Sequence, residues 1–285
     1  MIFLSEIEDS LLRIVSFNVN SVRIRLHQLA AVIETHNPDF IGLQETKVTD
    51  EEFPVEAINA LGYEVIYYGQ KTHYGVALLS RVAAIEPETG FPTDTETSQR
   101  RMVAGKFMLE DGRTLSVLNG YFPQGENRSH PDKYPNKREY YRNLSSWLED
   151  NHNADDPVIV MGDVNVAPGD IDIGIGEPNR KRWLKDGKCS FLPEEREWLQ
   201  HVMNWGMIDT FRQIHSDVDD RFSWFDYRSK GFEREPRRGL RIDLIMASTS
   251  ICETCTDAGI DYEVRAMDKP SDHCPIWAEF DLKLA

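Results

Sequence analysis

Cysteine is scarce in this chain: Cys189, Cys252, Cys255 and Cys274 are its four cysteines among 285 residues. So few suit a reducing compartment and do not make a disulfide framework. Cys252 and Cys255 form a CxxC, but no second pair of cysteine or histidine ligands stands at similar spacing, which speaks against a structural zinc site. Long apolar runs are missing too. Nothing approaches the roughly 18 apolar residues that cross a bilayer. The opening MIFLSEIEDSLLR mixes acids into its apolar residues and has no basic region followed by a long apolar stretch, so it does not read as a secretory signal. A cytoplasmic protein with no membrane partner is expected. Positive charge is also in short supply, with 32 Lys and Arg against 48 Asp and Glu and a formal net charge of −16. That balance argues against broad, nonspecific attraction to nucleic acid, because a phosphate-binding surface needs cations to displace counterions. It leaves room for a local basic face. Short clusters occur at Arg100 and Arg101, at Arg128 with Lys133, Lys137 and Arg138, at Arg180 to Arg182, and at Arg237, Arg238 and Arg241.

What is present is the composition of a folded globular chain, 40% apolar and 28% charged. β-branched or alternating runs predict strands at 13–20, 40–45, 76–80, 102–109, 114–121, 158–163, 241–247 and 276–284. Helical spacing is clearest over 23–36, where Leu26, Leu29, Ala30 and Ile33 share a face, and over 138–148 and 194–205. No Gly/Ser-rich or Pro-rich linker divides the chain, so one α/β layered domain is expected. The short turn Glu110-Asp111-Gly112-Arg113 makes the sheet at least partly antiparallel. A faint internal echo links IVSFNVN in the first half to VIVMGDVN in the second, each an apolar strand ending in a polar Asn. GIGEP, at 174–178, lacks the third glycine and the preceding strand of a dinucleotide fingerprint.

Polar residues recur where apolar strands end. Asn18 follows RIVSF, Glu45 follows DFIGLQ, Asp163 and Asn165 lie in VIVMGDVN, Asp243 breaks into LRIDLIM, and Asp272 and His273 stand in KPSDHCPIW. Ionisable groups in such places are costly unless paired or bound to a cation. Carboxylates and amides with one histidine, without a cysteine-rich set or a GxSxG elbow, favour a hard cation over zinc. Phosphate chemistry follows, since Mg²⁺ binds through one or two carboxylates and substrate phosphate oxygens.

The segments SFNVN, GLQETK, HYGVALLS, NGYFPQGE, MGDVN, DIDIGIG, CSFLPEEREW, DTFR, RFSWFDYRSKG, GLRIDLIMAS and KPSDHCPIW, in this order, resemble the exonuclease III family. These are metal-dependent abasic-site endonucleases of the endonuclease/exonuclease/phosphatase superfamily. The resemblance runs from Arg13 to Phe280, so residues 1–12 look like an N-terminal extension and 13–285 like a single family domain. It implies a DNase I-like fold, a four-layered α/β sandwich of two packed mixed β-sheets flanked by helices. The activity implied is hydrolysis of DNA phosphodiesters: incision 5′ to an abasic site, 3′-to-5′ exonuclease action on duplex DNA, and 3′-phosphatase and 3′-phosphodiesterase action. The partner would be double-stranded DNA with abasic sites or blocked 3′ ends, met by a monomer.

The same resemblance implies roles. Glu45 binds Mg²⁺, with Mn²⁺ able to substitute, helped by Asn18 and Asp272; Asp163, Asn165 and His273 complete the surroundings of the cation. Asp163 orients and deprotonates the attacking water, with Asn165 holding the neighbouring geometry. His273 hydrogen-bonds the scissile phosphate, Asp243 orients the imidazole, and Tyr121 contacts the phosphate beside the leaving oxygen. Trp224, Leu240 and Ile242, with Phe225 nearby, form a pocket for a baseless sugar, and Arg100, Arg101, Gln124 and Lys133 grip the duplex backbone. Because neighbouring strand residues point to opposite faces, the turn after Pro270 must splay both Asp272 and His273 toward the site. Three rival readings keep some of these residues. A phosphatase of lipid or inositol phosphates shares the acids and the histidine but needs no WFDYRSKG loop. A glycosidase using Glu45 and Asp163 needs no metal, and a binding module would have lost catalysis.

Overall fold

The computed structural model describes residues 11–285. Of the extension expected over residues 1–12, all but the last two residues lie outside the described residues, and Leu12 already pairs with Phe280 in the first strand. Twelve strands follow in chain order. The first six are β1 (Leu12–Asn18), β2 (Phe40–Gln44), β3 (Glu64–Tyr68), β4 (Val76–Ser80), β5 (Pro87–Thr89) and β6 (Met102–Met108). The rest are β7 (Thr114–Tyr121), β8 (Val158–Asp163), β9 (Met207–Asp209), β10 (Asp243–Ser248), β11 (Cys255–Ile260) and β12 (Ile276–Phe280). They make two six-stranded sheets, ordered β11-β12-β1-β2-β4-β3 and β5-β6-β7-β8-β10-β9.

Each sheet is antiparallel except for one central parallel pair, β1 with β2 and β7 with β8. The two orders superimpose strand for strand. β1 sits between antiparallel β12 and parallel β2, as β8 sits between antiparallel β10 and parallel β7. The echo between IVSFNVN and VIVMGDVN is therefore structural, because these segments are the equivalent strands β1 and β8.

β2, β4, β8 and β10 are buried along their whole length, which their unbroken apolar runs reflect, since strands covered on both faces need not alternate. One core lies between the sheets, where Ile14, Phe40, Leu78, Phe107, Val117, Met161, Ile245 and Phe280 meet. Outside the first sheet, Val15, Phe17, Ile41 and Leu79 pack on α1 (Leu26–His36) and α2 (Val55–Ala60) through Leu29, Val32 and Ile58. Outside the second, Leu118, Val158 and Val160 pack on α3 (Lys133–Asn151) and, further along, α5 (Pro193–Asn204) through Tyr141, Leu144, Leu148 and Leu199. Helix, sheet, sheet, helix is the four-layered α/β sandwich. Shorter helices α4 (Glu177–Asp186), α6 (Thr210–Ile214), α7 (Thr249–Cys252) and α8 (Tyr262–Arg265) fill the connections. Among the described residues no helix is long and apolar enough to cross a membrane.

The strands that pattern reading passes over, β3, β5, β9 and β11, are the four sheet edges. β3, β5 and β11 are partly exposed and β9 is three residues long, so none shows a clear apolar period; β11 also carries a register shift between Cys255 and Asp257. The Glu110–Arg113 turn does join β6 and β7 as an antiparallel hairpin, with Gly112 at φ +85°. α3 starts at Lys133, five residues before the expected 138.

One ion-pair network ties the second sheet to its loops. Arg241 is 1% exposed and lies between Asp172 and Asp209, at 2.7 Å from Nε and 2.6 Å from Nη2. Arg212 reaches Asp172 as well, at 2.5 Å. Arg241 is thus a cation of the interior and no part of a basic face. Burial opposes the charged Asp172, yet Arg241 and Arg212 outweigh it and hold its pKa below the ordinary 3.8. A carboxyl so depressed binds fewer protons folded than unfolded, so its contribution is present above about pH 4 and disappears as pH falls through the folded pKa. Asp172→Asn should cost about 3 kcal/mol at pH 7, and the difference from wild type should shrink below pH 4 when unfolding is followed in urea. A pH-independent difference would contradict the network.

Candidate active site

The chain reverses direction between neighbouring strands in such a way that the C-terminal ends of β1, β2, β7 and β8 and the N-terminal ends of β10 and β12 share one rim. Asn18, Glu45, Tyr121, Asp163, Asp243 and His273 are the residues at or next to those ends. Six non-glycine residues around the rim take left-handed backbone: Asn20, Ser21, Glu45, Lys47, Asn165 and Lys269. Such conformations cost on the order of 1–3 kcal/mol each and gather at sites where geometry outranks comfort. Below the rim, Asn119 bridges the sheets through Leu43 O and Ala77 O, both at 2.9 Å, and accepts from Gln44 at 2.6 Å. Gly42 makes room for it, since a Cβ there would come within 2.6 Å of Asn119 Oδ1.

Asn18 is fully buried and links the two sheets: its amide donates at 3.0 Å to both Glu45 Oε1 and Asp163 Oδ2. Tyr121 donates to Glu45 Oε1 at 2.8 Å, and Lys47 Nζ lies 2.9 Å from Oε2. Asp163 and Asp243 stand directly opposite in the β8–β10 register. His273 Nδ1 is 2.9 Å from Asp243 Oδ2, which leaves Nε2 facing Asp163 Oδ2 at 3.7 Å. Asn165 holds the other side of Asp163, its backbone N–H donating to Oδ1 at 3.1 Å, while its side-chain amide donates to Phe122 O. Asp272 accepts from Asn20 at 2.8 Å and from the Trp224 indole at 3.1 Å. Both Asp272 and His273 therefore face the site, as the splayed turn requires.

Electrostatics separates these groups. Burial opposes ionisation of Glu45, but Lys47 outweighs it and the pKa falls below the ordinary value. Burial dominates at Asp163, with Asp243 and Glu45 adding to it, and raises the pKa to about 8. For His273 burial works against charge, and Asp243 and Asp163 overcome it, raising the pKa to about 10. Tyr121 is pushed well above 10 by burial and by Glu45, so it keeps its proton. The result is an imidazolium facing crowded carboxylates, held as a donor by Asp243.

Glu45, Asp163 and His273 offer ligand atoms that all lie within 4.8 Å of one another. Oxygen donors suit a hard cation, and crowded buried carboxylates are what such a cation relieves. Of the other residues expected near the metal, Asp272 and Asn165 line the same cavity, whereas Asn18 turns its amide N–H groups to the carboxylates and accepts from Asn20 N–H through Oδ1. The cavity, about 240 Å³, is lined by the polar Glu45, Tyr121, Asp163 and His273 together with the largely apolar Trp183, Trp224, Leu240 and Ile242.

Three comparisons bear on this geometry. The pattern of the endonuclease/exonuclease/phosphatase family matches residues 15–273. The exodeoxyribonuclease III of Haemophilus influenzae is 53% identical over 269 residues, 94% of this chain and 100% of that protein. The chain belongs to the endonuclease/exonuclease/phosphatase family. Two solved structures of the same architecture are close. The 3′ phosphatase NExo of Neisseria, bound to a product DNA hairpin, is 33% identical with a TM-score of 0.84, covering 94% of this chain and 99% of its own. An AP endonuclease from Archaeoglobus fulgidus is 34% identical with a TM-score of 0.82, covering 95% and 99%.

Not every residue expected at this family's site lines the cavity. Gln124 does. Phe225 does not: it is fully buried with Phe222, Cys274 and Phe232, because neighbours on extended chain face opposite ways and Trp224 takes the cavity side. Arg100 spends its guanidinium on Asp50 at 2.6 Å and Gly69 O at 2.7 Å. Arg101 is 7% exposed, donates to Tyr121 O at 2.9 Å and lies between the rings of Tyr74 and Tyr121. Lys133 is exposed at the start of α3 and pairs with Glu126. Lys47, Trp183 and Lys188 belong to the site without having been singled out; Lys188 Nζ sits 3.7 Å from the Trp183 ring centroid. GLQETK contains Lys47, and its place two residues after Glu45 was the available signal.

Lys137, counted with a basic cluster in the sequence, is instead wholly buried. Its ammonium lies 2.5 Å from Glu195 Oε1, and it donates to Asn165 O at 2.9 Å and Gln124 O at 3.3 Å. Glu195 Oε2 accepts from Leu192 N at 2.8 Å and Ser190 N at 3.2 Å. One interior ion pair thus gathers three loops that line the cavity. Lys137→Met should destabilise by about 3–5 kcal/mol by stranding the Glu195 charge, and Glu195→Gln added to it should recover part of that loss in urea unfolding. A loss under about 1 kcal/mol for the single change would contradict a dry pair.

Proposed function

We propose that this protein is a metal-dependent nuclease of double-stranded DNA that cuts phosphodiesters 5′ to abasic sites and trims or unblocks 3′ ends. We read it as one domain over residues 13–285, acting as a monomer in the cytoplasm; its four cysteines are free. The observation that carries the reading is the meeting of Glu45, Asp163 and His273, with Asp243 behind the imidazole, in a cavity that Trp224, Leu240 and Ile242 also line. Support comes also from relatives named exodeoxyribonuclease III, AP endonuclease and 3′ phosphatase, the last seen with DNA.

Glu45 and Asp272, with Asp163 beside them, would hold Mg²⁺, with Mn²⁺ as a substitute. When bound, the cation supplies positive charge to nonbridging phosphate oxygens and to the leaving oxygen. Asp163 accepts a proton from the attacking water at Oδ2, and a cation bound beside it favours the carboxylate form that this role requires. Asn165 fixes the opposite oxygen of Asp163. His273 donates through Nε2 to a phosphate oxygen while Asp243 holds Nδ1–H and stabilises the imidazolium, the logic of a carboxylate behind a catalytic histidine. Tyr121, its proton retained, stands beside the leaving oxygen. The water oxygen bonds to phosphorus, the P–O3′ bond breaks, and the 3′ oxygen takes a proton from solvent as the upstream strand leaves with a 3′-hydroxyl. Asn18 spaces Glu45 from Asp163 as a donor to both.

Trp224, Leu240 and Ile242 form a slot that admits a flipped-out sugar without its base and excludes an intact nucleotide. Gln124 at the cavity and Lys133 beyond it would steady the backbone, a contact type that positions without reading sequence. Arg100 and Arg101 serve by fixing Tyr74, Tyr121 and the loops around them.

A labelled duplex carrying one abasic-site analogue tests the reading. Incision immediately 5′ to the lesion is expected with Mg²⁺ and none with chelator, and Asp163→Asn and His273→Ala should each lose at least about 10²-fold in rate. Unchanged cutting by Asp163→Asn would remove it as the base. On matched substrates Trp224→Ala should weaken preference for the baseless site more than exonuclease trimming; equal losses would make Trp224 a purely structural residue.

A further inference from the structure

Trp183 and Trp224 are walls with two sides. Facing away from the reaction cavity they line a second one, of about 150 Å³, whose rim carries Arg182, Arg234 and Arg238. The neighbouring cations on this side are neutralised by a carboxylate: Arg180, two residues from Arg182 on α4, pairs with Asp170 at 2.5 Å, and Arg196 with the same acid at 2.8 Å. The three at the second cavity are not. Arg182 donates to the neutral Asn179 Oδ1 at 2.8 Å, and Arg234 Nε to Ser229 O at 2.8 Å. Among the described residues none of the three has an acidic partner. Asp226 is the one acid in the lining, and its oxygens accept the backbone N–H groups of Arg228 and Ser229 in its own turn. Arg237, between them in sequence, faces elsewhere, over the rings of Phe232 and Tyr262.

Three uncompensated guanidiniums around a small cavity, in a chain of formal charge −16, form a site for an anion that brings its own charge. The shared wall defines which anion. Trp183 and Trp224 line both cavities, so a strand with its reacting phosphate at His273 would have to pass these indoles to bring its next phosphate to the second one. We propose that the second cavity is a phosphate subsite, in which Arg182, Arg234 and Arg238 hold the phosphate of the nucleotide adjoining the reacting one on the same strand. The indoles offer the intervening sugar and base an apolar face. This inference rests on reading the main site as that of a DNA nuclease.

The test uses full-length protein and the abasic duplex, with binding followed by fluorescence anisotropy in chelator and incision in Mg²⁺. Losing one phosphate contact lowers the slope of log K against log salt by about 0.7–0.9, so Arg234→Gln with Arg238→Gln, which empties a site for one phosphate, should lower it by about that amount, while Arg142→Gln on the exposed face of α3 leaves it unchanged. A neutral methylphosphonate is then placed at each linkage flanking the lesion in turn. At one linkage it should weaken wild type several-fold yet leave the double variant unaffected, so that the two proteins bind alike. An unchanged salt slope overturns the subsite, and so does a wild-type advantage that persists at every methylphosphonate position, because the arginines would then act only through the general field. Weakened inhibition by a deoxynucleoside monophosphate with an unaltered DNA slope also overturns it, by assigning the cavity to free nucleotide. Failure of wild-type protein to cut or bind the duplex would instead contradict the main-site reading, so the two failures are distinguishable.

Discussion

Charge of one sign, packed where water cannot screen it, is the constraint around which this molecule is arranged. Glu45, Asp163 and Asp243 stand close together at the rim of two sheets, and buried carboxylates repel one another unless something positive or proton-donating lies between them. The protein supplies that in fixed portions: Lys47 and Tyr121 at Glu45, the Asn18 amide between Glu45 and Asp163, and His273 between Asp163 and Asp243. The remaining imbalance is concentrated on Asp163, whose pKa rises to about 8. A hard cation and a phosphate complete such a set in complementary ways, one by neutralising the acids and the other by accepting from the imidazolium.

Sheet topology makes the crowding attainable. Two sheets with the same pairing pattern bring the ends of β1 and β8 face to face, so that Asn18 and Asp163, equivalent in the internal echo, become hydrogen-bonded neighbours. Support comes from further out in layers: Asn119 between the sheets, the left-handed turns at Glu45 and Asn165, and the buried Lys137–Glu195 pair beneath three loops. The Arg241 network holds the strand bearing Asp243 from the other side, with Leu240 and Ile242 facing the cavity while the arginine between them faces inward. Here interior charge fixes position, and the favourable balance of each pair depends on its full hydrogen-bond complement.

Much of this was legible in the sequence, for physical reasons. Central strands betray themselves because burial on both faces demands apolar runs, and ionisable residues interrupting those runs, such as Glu45, Asp163 and Asp243, have few structural excuses. The edge strands β3, β5, β9 and β11 were not legible, because partly exposed segments, and one of three residues such as β9, carry no strong period. Charge was the least readable feature. Lys137 and Arg241 look like surface cations in the one-dimensional chain and are interior, Arg101 is held between two tyrosines, and Phe225 turns away from the cavity that its neighbour Trp224 lines. Which way a side chain faces, and which acid meets which base across 58 residues, as for Lys137 and Glu195, are properties of the packed molecule.

The central claim is that the carboxylates at this rim form a cation site organised by Glu45. Calorimetric titration of Mn²⁺ into metal-free protein tests it without reference to turnover. The account predicts saturable binding to wild type, a melting temperature that climbs with added Mn²⁺, and binding weakened at least about tenfold in Glu45→Gln, equivalent to 1.4 kcal/mol. Equal Mn²⁺ affinity in wild type and Glu45→Gln, or no saturable binding to either, would contradict it.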